Sequence, residues 1–252
     1  MRALLALTGT EKSLPEAVRF AVRGDRAILP EAEETTWSPS LIKYGTCSTK
    51  KMARSQVYRL FPAYTNTYAP VEELKEYYEA ILKQPGVVGL SIATRPDCLP
   101  DDVVEYLAEL NKRTYLWVEM GLQTIHEKTS TLINRAHDTQ CYIDAVAKLR
   151  KHNIRTCAHI IYGLPCETHE MMMETGKAVA QMDVQGIKIH LLHLMRKTPM
   201  VKQYEAGLLR FLEKDEYVKL IVDTLEILPP EMIVHRLTGD APRDLLIGRC
   251  GV

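Results

Sequence analysis

From Ala63 onward, runs of apolar residues alternate with segments whose apolar positions recur at helical spacing. Val71–Gln84 places Leu74, Tyr77, Tyr78 and Ile81 on one side of a helix that stops before Pro85-Gly86. The continuous run from Val87 to Thr94 predicts a buried strand, closed by Arg95-Pro96-Asp97. Helices are expected at Asp101–Asn111, Glu127–Asn134, Thr139–His152 and Thr168–Met182. Strands are expected at Tyr115–Met120, Thr156–Tyr162 and Gly186–Leu194. Gly121-Leu122-Gln123 is read as the exit from its strand. Two further helices near Met200–Ala206 and Glu213–Leu228 precede a short strand at Met232–Leu237.

Strands alternating with helices at this spacing predict parallel βα units. The fold class is therefore α/β, with a barrel or partial (β/α) barrel as the architecture and a doubly wound open sheet as the alternative. Residues 1–62 show no such alternation, and Glu31–Pro39 is polar and flanked by proline. They are expected to form an atypical N-terminal segment beside a barrel domain at 63–252.

A length of 252 residues and an apolar content of 46% suffice for one large domain with a real core. Lysine plus arginine balance aspartate plus glutamate at 32 each, so no global field attracts nucleic acid. Apolar runs are too short for a membrane-spanning helix, and Met1–Thr8 lacks the pattern of a signal peptide. The six cysteines, Cys47, Cys98, Cys141, Cys157, Cys166 and Cys250, are irregularly spaced, which predicts reduced thiols in a cytoplasmic protein.

In a parallel barrel, chemistry sits at the C-terminal ends of the strands. That rule selects Thr94, Arg95 and Asp97; Glu119, Gly121 and Gln123; His159, Tyr162 and Gly163; and His190 with His193. Arg95 is either an anion contact or half of an arginine–aspartate turn lock. Glu119 lies in an apolar strand, where a carboxylate needs a partner. His190 and His193 are three apart on one expected strand, so only one of them faces the interior; no metal site is assigned. Met171-Met172-Met173 on a helix reads as packing. Gly163-Leu164-Pro165-Cys166-Glu167-Thr168 is a tight turn from strand to helix, with Thr168 as the cap.

Taken in order, Asn66–Pro70, Leu90–Asp97, Val118–Thr124, Ile133–Arg135 and Ile160–Pro165 resemble the radical S-adenosylmethionine (SAM) enzymes. The branch includes oxygen-independent coproporphyrinogen oxidase and the radical-SAM subunit of the tRNA-modifying elongator complex. Gly186–His193 and Arg236–Arg243 resemble a bacterial subgroup of it. The likeness covers Ala63–Gly248. It implies reductive cleavage of SAM at a [4Fe–4S] cluster to a 5′-deoxyadenosyl radical, fed by an electron donor such as flavodoxin, with tRNA or another nucleic acid as a substrate class. It also implies cofactor contacts at Thr94, Arg95, Glu119, Gln123, Arg135, His159 and the Ile161–Tyr162–Gly163 backbone. Gln123 and Arg135 resemble contacts to the ribose and carboxylate of SAM. His159 holds a ribose-contact position that is acidic in the porphyrin-pathway relative, and Cys166 stands where glycine is usual.

The family's cysteine triad is the main departure. Residues 1–62 contain only Cys47, so a cluster is not expected in this chain and neither is catalysis. Codon degeneracy lets Ser55–Pro62, read one base later, spell an apolar strand, and Gly248–Val252 behaves similarly. Both ends are therefore expected to be frameshifted. Two rival readings remain: a barrel enzyme using Glu119 and a histidine for acid–base or metal chemistry, and a non-catalytic module that binds tRNA.

Overall fold

The computed structural model describes residues 57–61, 65–84, 87–196, 198–207, 209–239 and 245–249. The expectations for residues 1–56 and for the last codons fall outside them. Eight strands appear among the described residues: β1 (Val57–Phe61), β2 (Val87–Thr94), β3 (Tyr115–Gln123), β4 (Arg155–Tyr162), β5 (Gly186–Leu191), β6 (His193–Met195), β7 (Ile233–Arg236) and β8 (Leu246–Arg249). The helices are α1 (Val71–Leu82), α2 (Asp101–Arg113), α3 (Glu127–Leu132), α4 (Thr139–Arg150), α5 (His169–Gln181), α6 (Met200–Glu205) and α7 (Lys214–Ile227).

Six strands form one parallel sheet in the order β1-β2-β3-β4-β5-β7, and β6 pairs antiparallel with β8. Each crossover advances one strand in the same direction. A doubly wound sheet reverses its strand order part-way, so this order excludes it. The fold is a partial (β/α) barrel. Its sheet takes in Val57–Phe61, ahead of the boundary at residue 63 drawn from the sequence.

Period-2 alternation divides the sheet into two faces. Leu90, Ile92, Leu116, Val118, Met120, Ile160, Tyr162, Ile187 and Ile189 turn outward. They pack on Tyr78, Leu107, Leu149, Met172, Val179 and Leu220 from the helices in one continuous core. Each large apolar side chain buried there contributes roughly 1.5–3 kcal/mol relative to exposure. The intervening residues, Ser91, Glu119, His159, Lys188 and His190, turn inward. A strand polar on one side and apolar on the other thus reads as a continuous buried run, because both faces are covered.

Local chemistry sets the helix starts. Thr168 caps α5 by accepting from the Met171 N–H (3.3 Å), as its sequence position predicts. Asp138 caps α4 through the Cys141 N–H (2.7 Å), and Glu213 and Glu216 close a capping box on α7. β3 runs three residues past the predicted exit. Gly121-Leu122-Gln123 stays in the strand, with a register shift against β4 between Gly121 and Gln123.

Candidate functional site

Four strands place one polar network on the inner wall. Glu119 is level with Ala93 on β2 and Cys157 on β4; His159 lies two residues further along β4 and level with Lys188 on β5. Glu119 is fully buried, and both of its oxygens are occupied. Ser91 Oγ donates to Oε1. Lys188 Nζ donates to Oε2, and His159 Nε2 lies 2.9 Å from that same oxygen. Burial alone would raise the Glu119 pKa, but the His159 hydrogen bond and the Lys188 ammonium outweigh it and hold the carboxyl well below the usual range. The expectation that Glu119 has a partner is met three times over. Burial pulls His159 down despite the Glu119 hydrogen bond, with the Lys188 and Arg236 cations acting in the same direction as burial, so the ring is neutral.

Gln123 ends β3. It is only 1% exposed, its backbone is left-handed (φ 64°), and neither Oε1 nor Nε2 has a hydrogen-bond partner among the described residues. A buried amide with a free donor and a free acceptor is unusual, because such groups are normally paired. Arg135 holds the turn around it. Its Nη1 donates to the carbonyls of Leu122 (2.7 Å) and Thr124 (2.5 Å), on either side of Gln123. Its Nε donates to the His137 carbonyl (2.8 Å), and Nη2 donates to Glu127 Oε1 (3.1 Å) and Thr139 Oγ1 (3.2 Å). All the guanidinium N–H groups are thereby used, so the carboxylate-contact role implied by the resemblance finds no free donor here. This clamp was not legible in the sequence, since its acceptors are mostly backbone carbonyls.

The other residues singled out from the sequence divide in the same way. Thr94 pairs with Thr67 Oγ1 (2.5 Å) and is fully buried. Arg95 makes a two-pronged ion pair with Asp97, with Nε–Oδ1 at 2.7 Å; this is the turn lock. Tyr162 points outward to Thr224 (2.9 Å), while Ile161 points inward into an apolar patch with Leu164, Leu192, Leu194 and Leu209. In the backbone there, Tyr162 O accepts from Leu192 N and Gly163 N–H donates to Met172 Sδ (3.1 Å). Gly163 has φ 82°, which its lack of a Cβ permits.

His190 and His193 correct the sequence expectation. β5 stops at Leu191 and β6 starts at His193, so the period-2 count breaks at Leu192. Both rings face bare Gly239, where an added Cβ would lie 3.3 Å from His193 Cε1 and 3.6 Å from His190 Nδ1. The His190 ring also lies 5.3 Å from that of His159, and its buried Nε2 has no partner among the described residues. Burial, with the neighbouring His159 in second place, pushes the His190 pKa down to about 2.

Of the two groups the resemblance implies, the donor set suits one and not the other. A ligand with paired hydroxyls fits the open amide of Gln123. A [4Fe–4S] cluster does not fit the described residues: no three His, Cys, Asp or Glu side chains converge on a metal-sized site. The buried thiols are poor ligands as they stand. Burial, with Asp97 adding to it, raises Cys98 to about 12, and burial raises Cys157 well above its ordinary value.

A family model described as the Radical SAM superfamily matches residues 50–179, and one described as the Radical_SAM C-terminal domain matches residues 184–250. The chain belongs to the radical SAM superfamily. It is 70% identical over 188 residues to the uncharacterized protein YtqA of Bacillus subtilis, covering 75% of this chain and 58% of that protein. It is 39% identical over 188 residues to protein YhcC of Escherichia coli, covering 74% and 61% respectively. The chain therefore spans about three fifths of the length of these relatives. Among solved structures, the archaeal Elp3 of Methanocaldococcus infernus with an N-terminal deletion matches with a TM-score of 0.61 at 21% identity. The match covers 71% of this chain and 42% of that one, and is a likeness of fold. No helix among the described residues is long and apolar enough to cross a membrane.

Proposed function

We propose that the inner wall of this partial barrel binds the nucleoside end of SAM, and that the chain as written does not cleave SAM reductively. The observation that supports binding is the Gln123 amide, buried with no hydrogen-bond partner among the described residues. Leaving a buried polar group unpaired costs about 1–3 kcal/mol. A vicinal diol, which both donates and accepts, removes that cost on binding. His159 turns inward from β4 two residues before Ile161, and the Ile161 patch offers an apolar surface for a flat ring. In the family, SAM supplies the 5′-deoxyadenosyl group once an iron–sulfur cluster reduces it. In this sequence the six cysteines contain no CxxxCxxC spacing, and no step is assigned to a cluster here.

The test is titration calorimetry of the full chain with S-adenosylhomocysteine, together with anaerobic iron–sulfide reconstitution and an assay for 5′-deoxyadenosine. Saturable binding is expected, lost in Gln123→Leu. That variant should fold as stably as the parent or more so, because it deletes two unpaired polar atoms. No 5′-deoxyadenosine should form above a no-protein control. Absence of binding would overturn the first half of the reading, and product above the control would overturn the second.

A further inference from the structure

We infer that Glu119, braced by Lys188 and Ser91, is a positioning residue that fixes the tautomer of His159, so that a neutral imidazole presents Nδ1 as a hydrogen-bond acceptor to a ligand hydroxyl. This rests on the reading that the inner wall takes a nucleoside.

The inference follows from proton counting. An ionised carboxylate only accepts. Both oxygens of Glu119 already face donors, Ser91 on one and Lys188 on the other. His159 Nε2, 2.9 Å from Oε2, must therefore carry its hydrogen toward Glu119. A neutral imidazole has one N–H, which leaves Nδ1 with its lone pair free. Among the described residues no group engages Nδ1. The alternative, a protonated Glu119 donating to a bare Nε2, is opposed by the Lys188 ammonium on the same oxygen.

The arrangement gives the wall an uncharged acceptor at this position. A carboxylate there would accept a hydroxyl directly, with its charge on the wall. Here the charge is set back one side chain, on Glu119, neutralised by Lys188, and relayed as a fixed tautomer. The group left free is a neutral acceptor, suited to a hydroxyl donor. Gln123, with one acceptor and a donor amide, complements it for a vicinal pair of hydroxyls such as those of a ribose.

The experiment is nitrogen-15 NMR of histidine-labelled full-length protein at neutral pH, with the His159 signals identified by their loss in His159→Asn. The expected spectrum shows a pyridine-type Nδ1 and a pyrrole-type Nε2. Glu119→Gln should give mixed tautomers, because a neutral amide both donates and accepts. A proton on Nδ1 in the parent protein, or an imidazolium, overturns the inference whether or not any ligand binds. Binding of S-adenosylhomocysteine is the second arm. An asparagine side chain extends only as far as Nδ1, and a glutamine as far as Nε2. His159→Asn should therefore retain most of the affinity, while His159→Gln and Glu119→Gln each lose about tenfold. Equal affinities across these variants would overturn the ligand-facing role of Nδ1. The expected tautomer with no binding in any of them would instead sink the reading of the wall as a nucleoside site.

Discussion

Arg135 shows how much one side chain can decide here. Its guanidinium joins the two carbonyls flanking Gln123 to the start of α4 through Thr139. Arg135→Met leaves buried carbonyls without donors, which costs about 3 kcal/mol, or a fall in melting temperature of roughly 6–12 °C for a chain this size. Arg135→Lys keeps the charge but cannot span both carbonyls and Thr139, and should lose about half as much. Thermal denaturation of the two variants checks this; a melting point within a degree of the parent in both would show that the clamp carries no load. Cys166 is the opposite case. It is exposed, with φ at 64°, in the turn after β4. Left-handed backbone costs a non-glycine residue about 1–2 kcal/mol, and glycine gives some of that back through unfolded-chain entropy. Cys166→Gly should therefore stabilise by about 0.5–1 kcal/mol, while Cys166→Ser should change little. A glycine variant that unfolds at lower denaturant would show that the turn is not strained. The strand-end rule selects Gln123 and His159 from strand position alone. It also selected Thr94 and Arg95, which the fold spends on Thr67 and Asp97. Whether an inward polar group is free or paired depends on its neighbours on other strands, which no single strand's sequence reveals.

The elements themselves were legible wherever the apolar period was unbroken. β2, β4 and α5 fall within a residue of their predicted limits, because buried strands carry continuous apolar runs and Thr168 marks a helix start. β3 and β5 were misjudged at their ends. Gly121 looked like an exit, yet the chain continues through a register shift. Gly186–Leu194 looked like one strand, yet it divides at Leu192 and brings His190 and His193 together. Three histidines, on β4, on β5 and just before α4, make the fold sensitive to pH. Burial lowers the pKa of His159, takes His190 to about 2, and takes His137 beside α4 to about 4, the latter aided by Arg135. Unfolded histidine titrates near 6.5. Between that value and each lowered folded value, the unfolded chain binds more protons, so stability rises with pH and is lost as pH falls below about 6.5. Glu119, whose folded pKa is also depressed, adds a loss only below about 4.3. Urea midpoints should be level from pH 8 to 7 and fall from pH 6.5 to 5. His190→Gln should fall less steeply, by up to about 1.4 kcal/mol per pH unit. Midpoints equal at pH 7.5 and 5 would mean that these rings are protonated in the folded protein.

At the scale of the molecule, a half-open barrel has a centre and two edges, and stability should be graded between them. β3 and β4 each have hydrogen-bonded neighbours on both sides, and nearly every residue in them is buried. β7 holds β5 through only three register pairs, with a shift among them, and leaves Ile233 and Val234 exposed on the sheet's edge. β6 and β8 pair over three residues outside the main sheet. Amides open locally where few contacts hold them, and only by global unfolding where many do. Hydrogen exchange read by mass spectrometry should therefore find peptides covering 115–123 and 155–162 protected to the global limit. Peptides covering 233–236 and 246–249 should exchange about a hundredfold faster or more. The grading bears on function, because Glu119, Gln123 and His159 all sit on β3 and β4, the two strands that open last. A fixed tautomer and an unpaired buried amide persist only in a scaffold too rigid to relax around them. If strands β3 and β4 exchange as fast as β7, the inner wall is pliable: Gln123 would find a partner in solution, and neither its open amide nor the orientation of His159 could select a ligand.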